Sequence, residues 1–398
     1  MKSKVMILTI LTVVTNLILG CAVSIAAEPI KIGVVSPLTG RQAEVGKMQK
    51  NSYDLAMEEI NAAGGVNGRK IMLIYEDDMD KPEVSSSAVE KLITKDKVLA
   101  VMGSYSSSAT LPATATGEKY ETPFLSPSGA NDDITRRGSK WVFRTNAPSS
   151  VYSKTIFQFL DDAVEPKTIA IIFEDSSFGT GVAKAANQLA KEQGIEIAVN
   201  ESYSRGAPDF RPILTKVKEK NPAILFMVAY LSDCIPLMRQ IRELDINPKI
   251  FVGAGGGFTM PELVESLGGT AEYITAVAQW SESADWPGAK EFYEKYSEKY
   301  GSPPDFHGAA CYAAAYVMAD ALKRAASLDK VEIRNALAAT DMMTVFGPVK
   351  FEEYEGFTNQ NRHQMLMLQV QSGKHLTLWP EKYATAKLIF PTPAWSER

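Results

Sequence analysis

Short polar side chains that follow apolar, β-branched runs are the residues best suited to chemistry in this sequence. Ser106, Ser107 and Ser108 come after the apolar run 98–102 and begin a stretch with a helical pattern. A serine hydroxyl can cap a helix, and the free N–H groups of the first helical turn bind anions such as carboxylates. The serine loop therefore predicts a carboxylate site, with simple helix capping as the alternative.

Small polar or aromatic residues also follow four other apolar runs. They are Ser128, Gly129 and Ala130 after the run near Phe124, and Phe178, Tyr230 and Gly255 after three later runs. In open α/β sheets, ligands bind at the carboxyl ends of the strands. These strand ends together predict a ligand cleft, to which Tyr105 also contributes.

Motifs for catalysis or metal binding do not occur in the sequence. G-x-S-x-G, the P-loop, H-E-x-x-H and C-x-x-C are absent, and Phe258 takes the third glycine position of G-x-G-x-x-G in the run 253–257. The three histidines, His307, His363 and His375, lack metal-ligand spacing. We therefore expect a protein that is not an enzyme, with no catalytic residue, no metal and no cofactor.

The elements that position these residues alternate along the chain. Strands are predicted at 30–35, 71–75, 98–102, 168–173, 196–199, 223–228 and 250–252, and helices at 45–63, 84–94, 151–163, 182–193, 210–220, 235–244 and 308–326. Such alternation indicates parallel sheets with right-handed crossovers. The pattern restarts after residue 150, which predicts two α/β lobes. We place lobe one at residues 28–147 with 278–356 and lobe two at 148–277 with 357–398, joined by a hinge of several crossings.

Composition and charge exclude other classes of protein. The chain has 398 residues, of which 45% are hydrophobic and 22% charged, as expected for two or three globular domains. Its 42 basic and 47 acidic residues give a net charge of −5. That balance argues against binding to nucleic acid or to an anionic membrane surface.

The N-terminus has the features of an export signal. Lys2 and Lys4 precede the uncharged apolar run 5–19, and small residues follow, which predicts a signal peptide over residues 1–27. Two cleavage sites compete. A lipobox ending at Cys21 would leave a lipid anchor on that cysteine, whereas a small-x-small site near Ala27 would release the chain. Both predict a protein of the periplasm or cell surface.

Several segments of the chain resemble one family of transport proteins. They are IKIGVVSPLTG at 30–40, EEINAAGGVNG at 58–68, FGTG at 178–181 and FGPV at 346–349. These are similar to segments of the type I periplasmic binding proteins, in the branch of leucine/isoleucine/valine-binding proteins of ABC importers. The resemblance covers residues 28–398. It implies two Rossmann-like lobes, a monomer, and capture of a small carboxylate-bearing ligand for the ABC permease; a periplasmic ligand sensor for a signalling partner is the alternative.

The resemblance also implies roles for single residues. Ser107, with Ser106 and Ser108, would bind the ligand carboxylate, and Phe178 and Tyr230 would cover the ligand. Ser128, Gly129, Ala130 and Gly255 stand at the family's other ligand-contact positions. Tyr105 and His307, which the sequence offers beside them, complete the residues that we expect to bind the ligand.

Two departures from the family bear on the ligand. Gly255 stands where the family has an acidic partner for the ligand ammonium, and Ala130 stands where it has a threonine. We therefore predict a ligand without a free α-ammonium, such as an aromatic carboxylate or a 2-oxo acid. The alternative is an ordinary branched-chain amino acid, with Asp175 or Asp233 as the ammonium partner instead of a helix cap.

Overall fold

A computed structural model of the chain describes residues 28–164 and 167–398. The predicted signal peptide, including Cys21, lies outside these residues. Within them, no helix is long and apolar enough to cross a membrane.

The chain forms fifteen strands within the described residues, and these build two sheets. The strands are β1 Ile30–Ser36, β2 Ile71–Asp77, β3 Ala100–Gly103, β4 Phe124–Ser126, β5 Val142–Arg144, β6 Thr168–Glu174, β7 Glu196–Tyr203, β8 Ile224–Val228, β9 Ile250–Ala254, β10 Ile274–Ala278, β11 Asp341–Thr344, β12 Gly347–Tyr354, β13 Phe357–Asn361, β14 Leu366–Gln371 and β15 Lys374–Trp379.

Helices connect most of these strands. They are α1 Ala43–Ala62, α2 Pro82–Thr94, α3 Ser107–Lys119, α4 Asp133–Arg136, α5 Ser149–Ala163, α6 Ser177–Glu192, α7 Arg211–Lys220, α8 Leu231–Glu243, α9 Pro261–Leu267, α10 Ala289–Tyr300, α11 Phe306–Arg324 and α12 Lys330–Ala338. Three of those that matter for the site begin at a side-chain cap, formed by Ser106 for α3, Ser176 for α6 and Asp305 for α11.

The two sheets share one strand order. Five parallel strands of the first sheet run β2-β1-β3-β4-β5, and five parallel strands of the second run β7-β6-β8-β9-β10. Strand β8 is buried at every position, because helices cover both faces of a parallel sheet. This architecture confirms the predicted α/β class with two parallel-dominated sheets.

The C-terminal strands extend each sheet. Strands β11, β12 and β13 join the first sheet beside β5, and β14 and β15 pair in antiparallel fashion with β10 and with each other. The predicted boundary at residue 357 is therefore wrong for β13, which lies in the first lobe. Glu355 and Gly356 both have positive φ, 48° and 81°, and form a tight turn that brings Phe357 back against β12.

Three crossings between the lobes form the hinge. They follow β5, β10 and β13. The side chain of Gln279 accepts a hydrogen bond from the N–H of Ala147 at 2.7 Å, and the carbonyl of Gln279 lies 2.5 Å from His363 Nε2. Gln279, in the second crossing, is thus hydrogen-bonded to both the first and the third crossing.

Candidate functional site

The first turn of α3 presents hydrogen-bond donors to the cleft. Ser106 Oγ accepts from the N–H of Ala109 and so caps the helix. Ser107 Oγ accepts from the N–H groups of Ala130 at 3.2 Å and Asn131 at 2.9 Å. Because both acceptor positions of this hydroxyl are used, its proton is available to a ligand acceptor. The first-turn N–H of Ser108 has no helical carbonyl to bond and adds a second donor, whereas the Ser107 N–H bonds the Tyr230 hydroxyl of the opposite lobe.

A second helix N-terminus meets the first from the opposite lobe. Ser176 Oγ accepts from the N–H groups of Phe178 at 3.2 Å and Gly179 at 3.1 Å, which fixes the start of α6. Ser108 Oγ donates to Ser177 Oγ and accepts from the Ser177 N–H, both at 3.3 Å. Each helix N-terminus carries about half a positive charge. Their meeting point therefore favours an anion.

A cavity of about 20 Å³ lies between the lobes beside these two helix ends, small enough to show that the lobes are closed on each other. Its walls are Tyr105, Ser107, Ser128, Ala130, Tyr152, Phe178, Tyr230, Gly255, Gly256 and His307. Most of the residues predicted to bind the ligand are thus brought together.

Three predicted residues lie outside the cavity wall. Ser106 is the cap of α3, and Ser108 joins the two lobes. The carbonyl of Gly129 accepts from Arg144, and a Cβ at Gly129 would lie 2.6 Å from the Thr110 hydroxyl. These residues therefore hold the elements that form the cavity wall, and their contact with a ligand stays a prediction.

Two residues of the wall were not predicted. Tyr152 lies on the buried stripe of α5, where its spacing is that of an ordinary core residue. Its hydroxyl accepts from Gln279 Nε2 at 2.7 Å, which links the wall to the hinge. Gly256 belongs to the glycine run, and a Cβ there would lie 2.4 Å from His307 Cε1 and 2.9 Å from the Tyr105 hydroxyl. A side chain at 256 would therefore have to displace the His307 or Tyr105 ring for the lobes to close in this way.

Aromatic rings form most of the remaining wall. The Tyr105 and Tyr230 ring centroids are 5.4 Å apart, and those of Phe178 and Tyr230 are 5.8 Å apart. Among the residues that the structure describes, the buried Tyr105 hydroxyl has no hydrogen-bond partner. Burial raises its pKa well above the usual value, so the hydroxyl keeps its proton and can donate it.

His307 is oriented by a buried carboxylate. Its ring Nδ1 lies 2.9 Å from Asp305 Oδ2, and its backbone N–H donates to Asp305 Oδ1 at 2.8 Å. Thr259 Oγ1 donates to the same carboxylate at 3.1 Å. With Nδ1 engaged, Nε2 is the ring atom left for a ligand.

Asp175 and Asp233, the alternative partners for a ligand ammonium, instead bind backbone N–H groups of lobe two. Asp175 Oδ1 accepts from the Arg205 N–H and Asp233 Oδ2 from the Gly206 N–H, each at 3.0 Å. Neither lines the cavity, and neither is the capping residue of a helix. Gly255 has φ +105°, and a Cβ there would lie 2.6 Å from the Ala229 carbonyl. The backbone at 255 thus excludes an acidic side chain.

Comparison with known proteins identifies the family. A family model described as periplasmic binding protein matches residues 29–375. The chain belongs to this family. Leu/Ile/Val-binding protein homolog 7 of Brucella suis is 31% identical over 384 residues, covering 92% of this chain and 95% of that protein. These matches confirm the predicted family and its leucine/isoleucine/valine-binding branch.

Two solved structures of binding proteins superpose well. LivJ of Streptococcus pneumoniae, in complex with isoleucine, is 28% identical with a TM-score of 0.80, covering 87% of this chain and 97% of that one. A solute binding protein of Rhodopseudomonas palustris, in complex with 3,4-dihydroxy benzoic acid, is 21% identical with a TM-score of 0.79, covering 93% and 99%. The second likeness concerns the fold alone. Members of this family are substrate-binding proteins and not enzymes, and membership implies a location outside the cytoplasm.

Proposed function

We propose that the chain is the substrate-binding protein of an ABC importer and that it closes on a small carboxylate for delivery to the permease. The observation that carries this proposal is the meeting of α3 and α6 at their N-termini, where the Ser107 hydroxyl has a proton to donate. Charge-assisted hydrogen bonds to N–H and O–H donors are the usual means of holding a carboxylate.

Export belongs to the same proposal. The charged and apolar pattern of residues 1–27 directs the chain out of the cytoplasm, and a lipid on Cys21 would hold it at the membrane beside the permease. Signal cleavage at the small-x-small site would instead release it into the periplasm.

We further propose that the preferred ligand lacks a free α-ammonium. Within the part of the chain that the structure describes, no carboxylate side chain lines the cavity. Asp305, the carboxylate behind His307, already accepts from the imidazole and from Thr259. A buried ammonium without an acceptor is costly to desolvate. An aromatic carboxylate or a 2-oxo acid has no such group, and the rings of Tyr105, Phe178 and Tyr230 suit its apolar part.

A branched-chain amino acid is the second candidate. The Brucella relative is named a Leu/Ile/Val-binding protein, and the LivJ structure contains isoleucine. A neutral His307 would offer the lone pair of Nε2 as an acceptor for the ammonium.

A thermal-shift panel of matched pairs distinguishes the two candidates. Leucine is compared with 4-methyl-2-oxopentanoate and isoleucine with 3-methyl-2-oxopentanoate, and benzoate is added as an aromatic acid. A ligand of the folded state raises the melting temperature by mass action. We expect shifts with the acids and none with the amino acids. The reverse result would establish the second candidate, and no shift with any of the compounds would contradict the proposed ligand class.

A further inference from the structure

Two loops at equivalent positions of the two sheets meet across the cleft and carry opposite charges. Strands β2 and β7 are the corresponding edge strands of the two sheets. Asp80 follows β2, and Arg205 follows β7. Arg205 Nη2 donates to Asp80 Oδ2, and the two side chains are 19% and 5% exposed. The pair thus joins lobe one to lobe two in a largely desolvated position.

The loop that carries Arg205 is fixed within lobe two. Asp175 and Asp233 accept from the N–H groups of Arg205 and Gly206, as described above. From lobe one, Arg41 Nη1 donates to the Arg205 carbonyl at 3.1 Å. Gly206 has φ +75°, a left-handed backbone conformation that favours glycine. Lobe two therefore holds the backbone of Arg205 in place, and Asp80 and Arg41 of lobe one both contact this residue.

Arg205 also contacts the wall of the ligand cavity. Its Cζ lies 4.7 Å from the centroid of the Tyr230 ring, and Tyr230 lines the cavity. Its Nε lies 3.8 Å from Glu174 Oε2, and burial raises the pKa of Glu174 to about 8. When the lobes separate, Arg205 loses Asp80 and its remaining acidic neighbour is in its own lobe.

We propose that Asp80 and Arg205 form an interlobe latch, which sets the equilibrium between open and closed lobes and makes Arg205 a positioning residue for Tyr230 over the ligand. Because each lobe supplies one partner, the ion pair exists only when the lobes are closed, and its free energy adds to closure. The effect of the latch on ligand affinity rests on the proposed capture function. Its effect on the equilibrium between open and closed lobes is independent of that function.

Single-molecule FRET measures lobe separation directly. Dyes on Glu83→Cys in α2 and Lys184→Cys in α6 place one label on each lobe, and both positions are exposed. Cys234 and Cys311 are free but buried, and Cys21→Ser removes the third native thiol, which keeps the labelling selective. Melting temperatures of all variants show whether the lobes themselves stay folded.

The variants remove one partner of the latch at a time. Asp80→Asn and Arg205→Gln should each lower the closed-to-open ratio about tenfold without ligand at low salt. Arg205→Lys keeps the charge and should recover part of the ratio, which a purely structural role would not produce. Arg211→Gln is the matched control, because Arg211 pairs with Asp209 and Glu243 inside lobe two and should leave the ratio unchanged.

Salt and ligands complete the test. About 1 M salt should lower the closed-to-open ratio of the wild type and leave that of Asp80→Asn unchanged, because screening weakens ion pairs. A wild type without a closed population at low salt, or latch variants that behave like Arg211→Gln, would overturn the latch. Benzoate, isoleucine and 3-methyl-2-oxopentanoate are added in parallel. If none of the three closes a protein whose latch variants respond as expected, the proposed ligand class fails and the latch stands.

Discussion

The two lobes have the same strand order but contribute different chemistry to the cleft. Strand β3 in the first sheet and β8 in the second occupy the same place in that order. The first leads to Ser107, a hydroxyl donor, and the second leads to Tyr230, an aromatic ring. The shared fold determines where strand ends meet, and the side chains placed there determine what is bound.

This division has a physical consequence. Donors on lobe one can hold a carboxylate while the lobes are open, because Ser107 is fixed by Ala130 and Asn131 of its own lobe. We expect the N-terminus of α6 and the rings of lobe two to reach the ligand only on closure. We therefore expect lobe one to select the charged group and lobe two to convert binding into closure.

The largest effect is expected where the lobes touch without ligand. In Gly256→Val, the added side chain would overlap His307 and Tyr105 of lobe one. Closure would be blocked, and affinity for benzoate or 4-methyl-2-oxopentanoate should fall about 100-fold or more. Calorimetry measures the affinity. Gly269→Val is the control, because a Cβ there meets no atom within 4 Å; equal affinities of both variants would show that closure is not needed.

The hinge between the lobes is expected to give the next-largest effect, on the stability of the fold. Burial lowers the pKa of His363 to about 4, and its Nδ1 has no partner among the described residues. The unfolded chain binds the proton near the ordinary pKa of ~6.5, so the stability that this histidine contributes is present above that pH. It is lost as the pH falls from about 6.5 through about 4, up to about 3 kcal/mol.

Urea unfolding at a series of pH values tests the hinge histidine. The Gln side chain of His363→Gln can still donate to the Gln279 carbonyl and does not titrate, so it should flatten the curve between pH ~6.5 and ~4. The slope that remains in this variant is expected from other buried groups, among them His375 on β15, whose pKa burial also lowers. A curve for His363→Gln as steep as that of the wild type would contradict the assignment.

The donor side of the comparison is tested at the serine loop. Ser107→Ala removes the hydroxyl and should weaken carboxylate binding by ~1.5–3 kcal/mol, or about 10- to 150-fold. Ser87→Ala, on the exposed face of α2, is the matched control and should bind as the wild type does. Calorimetry with unchanged affinity in Ser107→Ala would remove this residue from the site.

Much of the fold could be predicted because its signals are local. Buried parallel strands such as β8 are continuous apolar runs. The residues that follow these runs, such as Ser107 and Tyr230, therefore mark the carboxyl ends of the strands. The predicted helix 182–193 begins five residues after the observed start of α6 at Ser177. Gly179 is needed there because a Cβ would lie 2.1 Å from the Glu174 carbonyl. Close approach of two backbones leaves no periodic pattern in the sequence.

Contacts between the lobes could not be predicted in the same way. Gly256 against His307, and Asp80 with Arg205, depend on how two separately folded sheets face each other. Neither hydrophobic spacing nor strand order contains that relation. Most of the predicted residues therefore line the cavity, and the residue pairs that join the two lobes are visible only in the structure.

The smallest effect is expected on the aromatic side of the comparison. The Phe178 ring packs on Tyr230 at 5.8 Å and on Tyr152 at 5.6 Å between ring centroids. An aromatic pair contributes about 0.5–1.5 kcal/mol beyond the area it buries. Phe178→Leu keeps an apolar side chain, so benzoate should bind about 3- to 10-fold more weakly and 4-methyl-2-oxopentanoate nearly as before. Because this side acts through closure, most of the loss should appear as faster dissociation in stopped-flow traces. Equal losses for both acids, or a loss confined to association, would show that lobe two does more than cover the ligand.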